Sequence, residues 1–174
     1  MNKLFFGVLL VFINFYLNVN GHSLNIFPEW AGYCLIYSGL NDLLGEGEHF
    51  PLAKPWCLGM AVYTAIVWAI ELIFGSAKLG IIGSLLSLVA TLISLYVSYL
   101  ILMGIADIEH NRGVDLGQEK LMQIWKVFVV CILISSILRF MPALAVLAAI
   151  VAVVAVIIFL VRFNNTRRAY NALV

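Results

Sequence analysis

Two stretches of this chain, Gly80–Met103 and Ala143–Val161, carry no charged residue, and each is long enough to cross a bilayer as a helix. A spanning helix needs about 20 predominantly apolar residues, with a range of roughly 17–25. In lipid every backbone polar group must be satisfied internally, which leaves helices or a closed barrel as spanning structures. Four more hydrophobic runs, Leu4–Val19, Trp30–Leu44, Trp56–Phe74 and Leu121–Phe140, are separated by short polar breaks. The expected fold is therefore all-α: a polytopic transmembrane helix bundle of six spans, forming a single integral membrane domain over residues 1–174. The helices are expected at about 3–20, 28–44, 56–74, 80–110, 115–141 and 142–163. The first two reach span length only if their polar flanks, Asn2–Asn20 and Pro28–Gly45, are helical too.

Composition narrows the function classes. Hydrophobic residues make up 64% of the chain and charged ones 11%, against roughly 45–50% and 25% in soluble domains. Mean hydropathy is +1.07. The net charge of +1 provides no basic field for nucleic acid. Cys34, Cys57 and Cys131 are isolated, with no C-x-x-C pair and no disulfide framework. In apolar helices they act as small hydrophobes.

The breaks have local causes. Pro28 and Pro142 suit the first turn of a helix, and Gly45 and Gly113 stand where C-terminal glycine caps belong. Asp115-Leu-Gly-Gln118 reads as a capping box opening the fifth helix. With six spans and an inner N-terminus, Lys3, Lys54, Arg112, Lys120, Lys126, Arg162, Arg167 and Arg168 fall inside, while Lys78 and Arg139 fall outside. Eight against two implies that both termini are cytoplasmic. Lys3, the following apolar run and Val19-Asn20-Gly21 also fit a cleavable signal peptide, which would leave five spans with the same inner loops. Asn14 and Asn18 suit a helix-packing face, so retention of the first helix is expected.

Small residues indicate the packing. Gly80, Ser84, Ser87, Thr91, Ser94 and Ser98 recur at alternating spacings of four and three, a seam that lets helices approach closely. The same hydroxyl row, read functionally, lines a solute path. Ala145, Ala148, Ala152 and Ala155 form a second seam. Gly39-Leu40-Asn41-Asp42-Leu43 and Gly104-Ile105-Ala106-Asp107-Ile108 repeat one pattern 65 residues apart, as a duplicated helical hairpin would. Nearby loops hold Glu46-Gly47-Glu48-His49 and Asp107-Ile108-Glu109-His110. His49, His110 and Glu109 are weak metal candidates without strict ligand spacing; solvated loop charges are the commoner reading, and no metal or other cofactor is expected.

A ligand pocket, if the bundle has one, is expected on the outer side. Asn14 and Asn18, four apart, would share a helix face. Glu29 follows Pro28 in the first turn of the second helix, where the macrodipole favours a carboxylate. Tyr33 and Trp30 fit the headgroup level, and Glu71 approaches it from the third helix. Glu29 and Glu71 would recognise a cation or an amine, with the two Asn amides orienting it. The alternative is interfacial anchoring and capping, with Glu71 paired to Lys78.

The stretch from Asn14 to Ala53 resembles a group of uncharacterised small polytopic membrane proteins of Gram-positive, clostridia-type bacteria. The matching features are Asn14-Phe15-Tyr16-Leu17-Asn18, the proline–acid–aromatic–x–Gly–Tyr segment Pro28-Glu29-Trp30-Ala31-Gly32-Tyr33, the pair Gly39-Leu40, and the loop from Phe50 to Pro55. Glu29 and Trp30 stand where that group has Asp and Phe. The resemblance implies a bacterial cell-membrane protein and no particular activity.

No intramembrane catalytic constellation is legible: there is no Gly-x-Ser-Gly with a partner His, no Gly-x-Gly-Asp and no His-Glu-x-x-His. The expected function is that of a non-catalytic multi-pass membrane protein (a sensor, an assembly factor or a membrane-protein partner), with lipid and another membrane protein or a second copy as its partners. The alternative is a small-solute or ion transporter or channel subunit.

Overall fold

In the computed structural model the backbone is described for residues 1–12, 16–19, 22–25, 28–74, 80–137 and 142–173, and side chains for 1–12, 28–70, 86–132 and 150–173. Among the described residues, six helices and one short hairpin succeed one another in chain order. They are α1 (Asn2–Phe12), β1 (Tyr16–Val19), β2 (His22–Asn25), α2 (Glu29–Asn41), α3 (His49–Phe74), α4 (Gly80–Arg112), α5 (Gln118–Ile137) and α6 (Pro142–Asn171). The chain comprises two compact units, Met1–Asn111 and Arg112–Val174.

Among the described residues three helices, rather than six, are long and apolar enough to cross a membrane: α3 over His49–Ile70, α4 over Leu86–Arg112 and α6 over Ile150–Asn171. The first two helices fall short. At 1.5 Å per residue α1 and α2 measure about 16 and 20 Å, against a hydrocarbon core of about 30 Å. The expected helix over 3–20 stops at Phe12, and the chain turns into an antiparallel pair with Tyr16 opposite Asn25 and Val19 opposite His22. The residues between the strands are Asn20-Gly21, the strongest short-range sequence signal for a two-residue hairpin. Hydropathy summed over the whole run masks that signal.

α1 and α2 run antiparallel in backbone contact. A Cβ on Gly7 would lie 2.7 Å from the Gly32 carbonyl oxygen, one on Gly32 would lie 2.8 Å from Val11, and one on Gly39 would lie 2.5 Å from the Leu4 nitrogen. Gly32 and Gly39, seven apart, form a close-packing seam that the sequence analysis does not single out.

α3 starts at His49, seven residues before the expected position 56, and runs through Pro51 and Pro55. Pro51 lies in the first turn, where an N–H has no intrahelical partner anyway. Both prolines are exposed, while Phe50, Ala53, Cys57, Met60 and Thr64 are buried at helical spacing. Burial of that stripe maintains the helix past Pro55. α4 ends as expected at Gly113, whose φ is +63°, but Gly45 is not a cap: α2 ends on Asp42 in right-handed helical geometry. Asp115 does not close a capping box either. Its Oδ1 accepts the Gly117 N–H at 2.8 Å, and Gly117, at φ +80°, adopts a turn conformation that favours glycine.

The expected α4 seam divides along its length. Ser98 is buried, Ser94 and Thr91 are half-buried and Ser87 is exposed; the side chains of Gly80 and Ser84 lie outside the described residues. In its apolar window 44% of α4 is buried, against 22% for α3 and for α6. Overpacking therefore depends on position. Ser98→Leu is expected to cost about 1–3 kcal/mol, and Ser87→Leu less than about 0.5 kcal/mol. Thermal midpoints of the two variants in one detergent check this ordering.

Candidate functional site

The polar groups of the first unit gather at the end where α1 and α3 begin and α2 and α4 finish. Lys3 in the first turn of α1 lies 2.9 Å from Asp42, just past α2. His49, the first residue of α3, meets Asp107 in the last turns of α4: Asp107 Oδ2 accepts the His49 backbone N–H at 3.0 Å and lies 2.8 Å from Nδ1. One carboxylate oxygen thus serves an unsatisfied amide of the α3 N-terminus and an imidazole together. This is an N-cap supplied by another helix. The Asn111 side-chain amide donates to the Glu46 carbonyl at 3.3 Å. Gly47 lets the loop pass, since a Cβ there would lie 2.7 Å from the Asp107 Cβ.

The two Gly-x-x-Asp segments therefore do the same local work. Gly39 receives Leu4 while Asp42 pairs with the adjacent Lys3; Gly104 receives Phe50 while Asp107 pairs with the adjacent His49. Leu4 and Phe50 are fully buried. In each case a basic–apolar dipeptide starting one helix is locked onto a glycine–aspartate step near the end of its antiparallel neighbour. The paired dipeptides lie 46 residues apart rather than 65, so the repeat lies in the clasp and not in the whole register.

At the opposite end of α2 and α3, Trp30 and Trp68 meet edge to face with centroids 6.3 Å apart. Both indole N–H groups are buried with no partner among the described residues. Glu29 is half-buried beside Trp30. Glu71 lies one turn beyond Trp68, so the backbone puts both glutamates at one end of the α2–α3 pair; the Glu71 side chain lies outside the described residues. Tyr33 is buried and faces the same cleft as Ser94 on α4. That small apolar cleft lies between α1, α2 and α4 and is also lined by Val11, Phe12, Ser98 and Ile101.

Asn14 lies outside the described residues and Asn18 stands on β1 opposite Ser23. The helix face expected to join them is absent, because α1 ends first. Of the weak metal candidates, His49 is engaged by Asp107 and His110 is exposed. Among the described residues no group of three or more His, Cys, Asp or Glu is placed to hold a metal ion. Sequence reasoning misses Trp68 and the Lys3–Asp42 pair. The first is one aromatic in an apolar run, and the second joins residues 39 apart. No family model, curated protein or solved structure matches this chain.

Proposed function

We propose that this chain is a non-catalytic multi-pass protein of a cell membrane, serving as a partner, sensor or assembly element for other membrane proteins. The supporting observation is the division of its polar and apolar groups. Several described polar side chains of the bundle close helices onto one another, as in Lys3–Asp42 and His49–Asp107, or bond their own helix backbone, as in Thr64 to the Met60 carbonyl at 2.7 Å and Ser98 to the Leu95 carbonyl at 2.8 Å. Meanwhile α3 and α6 turn most of their apolar length outward, with Trp56, Val62 and Ile66 on one and Ile150, Val154 and Ile157 on the other exposed. Such surfaces suit lipid and neighbouring helices.

In this reading both termini are cytoplasmic, and the clasps support it without a count of spans. Lys3–Asp42 returns the chain to its starting side after α2, and His49–Asp107 returns it after α4. The segment from Asp107 to Leu116 carries Glu109, His110, Arg112 and Asp115, too polar to cross. Within the second unit the Thr166 hydroxyl, bonded to the Leu116 carbonyl at 2.7 Å, sets the last turns of α6 beside the start of α5. A transporter or channel subunit is the second reading, favoured by the repeated clasp, since duplicated helical units recur in such proteins.

Two measurements test the proposal. A C-terminal reporter should be active only in the cytoplasm; activity outside would reverse the topology. In proteoliposomes the purified chain should leave fluxes of ions and small amines at the lipid background, and a solute-specific flux would replace the first reading by the second.

A further inference from the structure

The Lys and Arg residues are unevenly shared. Residues 1–111 hold three against seven Asp and Glu; residues 112–174 hold seven against two. In the second unit Arg112, Lys120, Lys126, Arg162, Arg167 and Arg168 lie toward one end. The Thr166–Leu116 bond sets the last turns of α6 beside the start of α5, so Arg162 and Lys120, each four residues from that bond, lie at one level. Arg162 directly follows Val161, where the apolar run of α6 stops, and Lys126 follows Trp125 on α5. Arg167 and Arg168 continue outward, and Arg112 is held over the Tyr170 ring, 5.5 Å from its centroid. Lys120, Lys126, Arg162 and Arg168 are exposed. α6 measures about 45 Å, longer than the hydrocarbon core by about 15 Å, so its basic turns stand in the headgroup layer and the water beyond.

We propose that this end of the α5–α6 pair recognises the headgroups of anionic phospholipids in the leaflet it faces. The inference rests on the reading that α6 crosses a membrane. The depth of the cations favours lipid as the occupant. Arg162 stands at the edge of the apolar run, where lipid phosphates lie, and Lys126, six residues beyond Lys120 on α5, lies about 9 Å deeper and reaches them along its own stem, whereas a soluble acidic partner would reach only the outer turn. Each cation near an anionic surface raises binding by roughly fivefold.

The test uses the purified full chain in detergent, with phosphatidylglycerol, phosphatidylcholine and inorganic phosphate as probes and lipid retained in native mass spectrometry as the readout. The wild type should retain phosphatidylglycerol in preference to phosphatidylcholine, and the preference should fall with added salt. K120Q/R162Q/R168Q should lose it by at least roughly tenfold, while K120R/R162K/R168K keeps it. Equal retention of the two lipids by the wild type overturns the proposal. Competition by inorganic phosphate at matched concentration, or low-salt self-association lost in the neutral variant, overturns it in favour of a free anion or a second copy. If the neutral variant does not fold, the lipid preference and salt dependence of the wild type decide. Release of the chain from vesicles by alkaline carbonate would instead overturn the membrane reading itself.

Discussion

Gly39→Leu is expected to separate α1 from α2 and destabilise the protein by about 3 kcal/mol, near the upper end of the usual overpacking range. At this position the first added carbon already lies 2.5 Å from the Leu4 nitrogen and 2.9 Å from its Cα. Those are backbone atoms of another helix, and no rotamer change can move them aside. Either α1 shifts as a body or the contact opens, exposing Leu4, which is fully buried in the native packing. Gly59 provides the opposite control. A Cβ there has no neighbour within 4 Å among the described residues, so Gly59→Ala in the helical run of α3 should be neutral or stabilising by up to about 1 kcal/mol. Thermal midpoints of both variants in detergent give the comparison. Equal midpoints for Gly39→Leu and wild type would show that α1 does not pack against α2 through this glycine.

Asp107→Ala has the second large expected effect, about 2–3 kcal/mol. It removes the acceptor of the His49 backbone N–H and of the imidazole together. A lost N-cap alone costs roughly 0.5–2 kcal/mol, and a donor left unsatisfied in a half-buried place about 1–3 kcal/mol. The side chains of His49 and Asp107 are 31% and 20% exposed, so the loss stays below that of a fully buried pair. Lys3→Ala supplies the contrast. Its pair with Asp42 has both side chains about half exposed, and such pairs contribute less than about 1 kcal/mol. Hydrogen exchange in the first turns of α3 should quicken in Asp107→Ala and stay unchanged in Lys3→Ala. If the two variants unfold at one temperature, the interhelical cap has no special weight.

The repeated Gly-x-x-Asp segments show how sequence and structure divide the information. The repetition is legible because it is a local pattern; the first segment closes α2, while the second lies in the last turns of α4, which continues to Arg112. Its partners are not legible, since Lys3 lies 39 residues from Asp42 and His49 lies 58 from Asp107. Nothing in local spacing selects one basic side chain over another. In the sequence His49 is a weak metal candidate, because a His near carboxylates is all that one dimension offers. In three dimensions its imidazole and its amide both turn to one oxygen.

By itself the sequence determined the features that depend on composition and local pattern. Most of the long apolar runs fold as helices, and among the described residues three of these are long and apolar enough to cross a membrane. Gly113 ends α4 because a left-handed position favours glycine. Tertiary structure decided where helices stop and which faces meet. Hydropathy summed over a window cannot separate a helix from a strand of equal apolarity, so the run after Lys3 reads as one helix although it breaks at Phe12 into a hairpin. Helix propensity likewise places the start of α3 after Pro55, while burial of Phe50, Ala53 and Cys57 carries it back to His49. The close seam of Gly7, Gly32 and Gly39 depends on two helices meeting, and that is a relation between distant residues, set only when the chain is packed.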